Sequence, residues 1–123
     1  MSEKRFYLIV PNTVDTPYKG TFVMEPGRLM AQCCHIGRKL QAGMTQYEEV
    51  TTIVLSVRNS KELRKVSDEL ASGFRTGWNT NYQEFHDTNP VLYGTDSEIH
   101  TVTGIGPISK EDIDFVIGHL ELY

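Results

Sequence analysis

Short runs rich in β-branched and aromatic residues alternate along this chain with segments whose apolar residues recur every three or four positions, and that order leads to a layered α/β domain. Phe6–Val10 is apolar throughout, as expected of a strand buried on both faces. The β-branched run at 51–57 predicts a second strand, YQEFHD at 82–87 a third, and HTVTGIG at 100–106 a fourth. Three helices are predicted between and after them. In 27–40, Leu29, Cys33, Ile36 and Leu40 form one stripe. A second helix starts at Asn59, three residues ahead of Glu62, carries Leu63, Val66 and Leu70 inward, and is expected to stop at Gly73. The last begins at Ser109 as N-cap, runs toward Tyr123, and faces Ile113, Val116, Ile117 and Leu120 inward. The expected architecture is a three-layer α/β/α domain spanning 1–123.

A chain of 123 residues can bury a core without disulfide or metal staples. Cys33 and Cys34 are neighbours, and adjacent helical side chains diverge by about 100°. They can neither bridge each other nor pair Cys34 with His35 as nucleophile and base, so both read as small hydrophobes and the expected location is the cytoplasm. The apolar run at the start is too short for a signal peptide or membrane span. The four histidines, at 35, 86, 100 and 119, show no metal-ligand spacing. TGIGP at 103–107 lacks the spacing of a phosphate-binding loop. Neither a metal nor a cofactor is expected. The formal net charge of −4 disfavours nucleic acid unless a basic face is local.

Two regions can carry chemistry. Arg28, Gln32, His35 and Lys39 repeat the helical spacing about a quarter turn from the apolar stripe, where side chains either solvate a flank or wall a cleft. The polar, turn-rich segment 86–101 holds His86, Asp87, Asp96 and His100 between two strands. A second turn-rich segment, 11–26, is long for a simple connection.

The C-terminal TVTGIGPISKEDIDFVIGHLELY closely resembles the end of the archaeal- and eukaryotic-type peptidyl-tRNA hydrolases, in which a T-V-x-G-I-G-P turn precedes a helix ending G-H-L-x-L-Y. GRLMAQCCHIGRKL is similar to that family's first-helix motif, G-K-x-x-A-Q-C-x-H, and element order agrees over nearly the whole chain. The resemblance implies a four-stranded mixed sheet with helices on both sides, pairing as a homodimer, and hydrolysis of the ester between a peptide and the terminal ribose of tRNA. Carried over by position, it implies Gln32, Asp87 and Thr101 as catalytic residues and Arg28, His35 and Lys39 as substrate contacts. Pro26 stands where the family has a lysine and Val91 where it has a threonine; Lys19, in the preceding loop, is the lysine able to swing in. Segments 11–26 and 74–100 are longer than the resemblance implies.

Three functions follow. One is the peptidyl-tRNA hydrolase itself. A second is a catalytically inactive relative that keeps the fold and binds a protein or nucleic-acid partner. The third is an enzyme of the same shape acting on a smaller ester or amide.

Overall fold

The structure, a computed structural model, describes residues 3–46, 48–76 and 80–123. In chain order it forms β1 (Lys4–Pro11), β2 (Val14–Thr16), β3 (Gly20–Phe22), α1 (Pro26–Ala42), β4 (Thr51–Val57), α2 (Ser60–Thr76), β5 (Asn81–Asp87), α3 (Pro90–Tyr93), β6 (Ile99–Ser109), α4 (Lys110–Ile117) and β7 (Glu121–Leu122). The main sheet has the order β5-β6-β1-β4-β7 and is mixed: β1 runs parallel to β4 and antiparallel to β6, with Leu8 opposite Gly104.

The α/β class stands as expected, but the sheet has five strands rather than four. The last helix stops at Gly118 instead of running to Tyr123, and the chain turns back so that Leu122 pairs with Leu55 and Glu121 with Ser56. A side chain at 118 would meet the Asp114 carbonyl at 2.6 Å, so only glycine closes this turn. Helix α2 begins as predicted, with Asn59 Oδ1 accepting from the Glu62 N–H at 2.9 Å. It continues past Gly73 to Thr76, because a glycine inside a packed helix is a modest penalty, not a stop. Segment 11–26 contains the β2–β3 hairpin, and α3 lies within the 74–100 segment, of which residues 77–79 fall outside the described residues.

Two cores form, one on each sheet face. Phe6, Leu8 and Val10 pack with Leu29, Ile36 and Leu40 of α1. On the other face, Tyr7 and Ile9 pack with Leu63, Val66 and Leu70 of α2 and Ile113, Val116 and Ile117 of α4. Alternation along β1 thus divides one apolar run between two helical layers. Gly104 sets how near α1 sits: a Cβ there would lie 2.3 Å from Ile36 Cγ2 and 3.0 Å from Leu8 Cδ2. That close approach brings the polar flank of α1 down onto β5 and β6.

Candidate active site

A shift in the β5–β6 register aims the central hydroxyl. Phe85 pairs with Val102 and His86 with His100, so Thr101 is the extra residue of a β-bulge. Strict alternation would put Thr101 and Val102 on opposite faces. The bulge turns both toward α1: Val102 joins the α1 core, and Thr101 Oγ1 donates to Gln32 Oε1. His100 and Thr103 face α2 instead, joined at 2.7 Å.

Around Asp87 the geometry is dense. Its Oδ2 accepts from Arg28 Nε at 3.0 Å and Nη2 at 2.6 Å, Gln32 Nε2 at 3.0 Å and the Tyr93 hydroxyl at 2.7 Å. Thr101, Gln32 and Asp87 therefore form a line of hydroxyl, amide and carboxylate in which each proton has one direction. Gln32 and Thr101 are buried at 4% and 0% exposure. The side chains of Asp87 and Arg28 are 13% and 31% exposed, so this pair is the solvent-facing end of the line. Burial pushes the Asp87 carboxyl up, but the bonds from Tyr93 and Arg28 outweigh it and hold it below the usual aspartate value. Asp87 is a fixed anion at neutral pH. Arg28 is shifted up, chiefly by its bond to Asp87.

The structure brings Arg28, Gln32, Asp87 and Thr101 together and leaves His35, Lys39 and Lys19 outside the cluster. His35 is exposed and stacks on Phe85; Lys39 is exposed farther along α1. Lys19 Nζ donates to the Val91 carbonyl at 2.5 Å, strapping the β2–β3 hairpin to α3. Pro26 is exposed at the helix start, and Val91 is 83% exposed, so neither supplies a polar group to Asp87. Cys33 packs against the α1 core with its thiol pushed up to about 11 by burial, while Cys34 is exposed.

Tyr93 is the residue that sequence reasoning missed. It is fully buried at the end of α3, where its phenol is pushed up to about 12, mainly by burial and then by Asp87, and so stays a donor. The signal was present in NPVLYG: Asn89 caps the turn by accepting from the Leu92 N–H at 3.0 Å, Pro90 opens it, and Gly94 closes it at φ 70°.

A second polar cluster lies on the α2 face of the same strands. Glu84, His86 and His100 each place a ligand atom within 4.8 Å of the others, a grouping hidden from sequence spacing because His100 comes from the neighbouring strand. These are the described side chains best arranged to hold a metal. Arg64 already clamps the carboxylate through Nη1 at 3.0 Å and Nη2 at 2.7 Å, and its Nη1 also meets His100 Nδ1 at 3.3 Å. With that guanidinium in place the cluster is satisfied as an ion-pair network, and a cation would have to displace it. Burial holds the His100 imidazole down at about 4, so it is neutral at pH 7.

The family model described as Peptidyl-tRNA hydrolase PTH2 matches residues 6–123. No curated protein compared with the chain matches it. The matched span takes in the bulged strand, the Gln32 helix and the C-terminal turn that build this cluster, and the chain belongs to the PTH2 family of peptidyl-tRNA hydrolases.

Proposed function

We propose that this chain hydrolyses the ester of peptidyl-tRNA, freeing tRNA and peptide, with Asp87, Gln32 and Thr101 as catalytic residues and Arg28 in contact with substrate. The observation that carries the reading is the buried Thr101–Gln32–Asp87 line closed by Arg28, in a chain of this family. Because the Thr101 proton is committed to Gln32, its oxygen offers only lone pairs; fully buried while Arg28 covers Asp87, it can accept a hydrogen from a water only once substrate draws Arg28 away. Arg28 uses Nε and Nη2 for Asp87, and its third nitrogen carries two further donors.

In this mechanism the substrate carbonyl draws Arg28 off the carboxylate, and two consequences follow together. The guanidinium meets the oxyanion that develops at the carbonyl oxygen. Asp87, relieved of its strongest donors, rises in basicity and takes the proton of the attacking water. When the ester C–O bond breaks, that proton passes to the departing ribose oxygen. Tyr93 stays on Asp87 throughout and fixes its orientation. His35, Lys39 and Lys19, outside the cluster, are assigned to contact with the tRNA on the strength of the family resemblance.

The test is release of peptide from purified peptidyl-tRNA. The expected result is turnover above a protein-free blank and a loss on the order of 100-fold or more in Asp87→Asn. Wild-type turnover equal to the blank favours the inactive relative that binds a nucleic-acid or protein partner. Exposed Pro26 and Val91, in place of the lysine and threonine, point that way. The reading also takes 1–123 as one domain, working in the cytoplasm as a homodimer; a monomer mass by light scattering at micromolar concentration would reject the dimer. Among the described residues no helix is long and apolar enough to cross a membrane.

A further inference from the structure

Helix α1 and the edge strand β5 lie side by side, and their facing residues form an ordered row. At one end Arg28 bonds Asp87. Next, the His35 ring lies parallel to Phe85, with 4° between planes and 5.7 Å between centroids. At the far end Asn81 Nδ2 donates to the Lys39 carbonyl at 3.1 Å, and Gln83 Nε2 donates to Asn81 Oδ1 at 3.1 Å. The row opens there into a cavity of about 820 Å³ whose lining includes Lys4, Lys39, Asn81 and Gln83, with Glu48 as its one acidic residue. Beside the ring pair, Arg38 Nη2 lies 2.7 Å from His35 Nδ1.

Charge follows the same line. Residues 26–46 contain Arg28, Arg38 and Lys39 and no acidic side chain, whereas the rest of the chain holds the other nine basic and all sixteen acidic residues. Among the described residues neither Arg38 nor Lys39 meets a carboxylate. The acidic balance of the whole chain therefore conceals a local basic face with an aromatic step in it. That combination, π-surface interleaved with unpaired cations, is what single-stranded nucleic acid requires.

We propose that this row is the track for the single-stranded 3′ end of tRNA, with a nucleobase stacked on the His35–Phe85 pair and Arg38 and Lys39 on the phosphates that precede it. The inference rests on the hydrolase reading for its substrate and adds where the nucleotides lie. Phe85 and Asp87 are two residues apart on one strand face, a step of about 7 Å, comparable to one extended nucleotide. A ribose at Asp87 thus places a neighbouring base over the rings. From Asp87 to Asn81 the row runs about 20 Å, long enough for a few unpaired nucleotides.

The experiment is fluorescence anisotropy with a deacylated acceptor-stem hairpin, which reads binding without turnover. Phe85→Leu keeps the bulk that packs on the core but removes the π-face, and should weaken binding about tenfold. Phe85→Tyr and His35→Phe should bind within about twofold of wild type, since each keeps a stacking ring. An abasic overhang should cost wild type the same factor and Phe85→Leu little more. Lys39→Ala should reduce the slope of log affinity against log salt by about 0.7, the share of one single-strand phosphate contact. Lys61→Ala, on α2 across the sheet, should change nothing. Phe85→Leu binding like wild type, or a hairpin without its overhang binding as well as the full one, overturns the track. Overhang-dependent binding without hydrolysis would reject the hydrolase reading and keep the track; hydrolysis with Phe85→Leu binding unimpaired would do the reverse.

Discussion

Replacing Tyr93 by Phe isolates one bond in the cluster. The ring is fully buried and lies 6.1 Å from the Phe22 ring, so Phe preserves packing and leaves no orphaned polar atom. What disappears is the 2.7 Å donation to Asp87 Oδ2, one of four side-chain N–H or O–H donors on that oxygen. A hydrogen bond to a charged partner contributes about 1.5–3 kcal/mol, and the three remaining donors tighten to recover part of it. The expected loss is about 1–2 kcal/mol at pH 7, with the Asp87 carboxyl moving back up toward its ordinary value as the Tyr93 bond is lost. The sign with pH follows from the depressed carboxyl. Its contribution is fully present above the unfolded aspartate value of about 3.9 and is lost as pH falls through the lower folded value. The gap between variant and wild type should therefore be full at neutral pH and shrink below about pH 4. Urea unfolding at pH 7 and pH 3 with unchanged m-values measures the gap, and carboxyl-carbon NMR follows Asp87 directly. An equal gap at both pH values, or an Asp87 titration that does not move upward, refutes the reasoning.

Gly104→Ala should destabilise by about 1–3 kcal/mol in thermal or urea melts, because the added methyl enters the space of Ile36 Cγ2 and α1 must lift; a neutral result would mean that α1 does not sit as close as described. Glu84→Gln should lower stability by about 1–2 kcal/mol at pH 7, discounted because the Arg64 side chain is 43% exposed. Arg64 holds Glu84 well below the usual carboxylate range, helped by Tyr82 and His86 against burial. Urea melts should show that gap full above the unfolded glutamate value of about 4.3, narrowing as pH falls below it and closing as pH falls through the depressed folded value. Iodoacetamide mapped by mass spectrometry should label exposed Cys34 well before Cys33, whose thiol is held protonated at neutral pH; equal rates would contradict the burial of Cys33.

Local periodicity alone yields most of the elements. The stripe of Leu29, Ile36 and Leu40 is buried as expected, Asn59 caps α2, and the run at Phe6–Val10 lies inside the sheet. Each depends on residues within a turn or a strand of one another, which is why it can be read from spacing. The motifs at 27–40 and 101–123 carried the family for the same reason: they are short and contiguous. Tertiary structure decided the rest. Whether Gln32 faced solvent or a cleft depended on how closely α1 approaches Gly104. The face that Thr101 occupies was set by a one-residue shift between β5 and β6, and the pairing of β7 with β4 by a turn more than 60 residues away in sequence. Tyr93 and the Glu84–His86–His100 group acquire partners through folding alone. Strand register and helix depth are properties of pairs of distant segments, and no pattern within either segment encodes them.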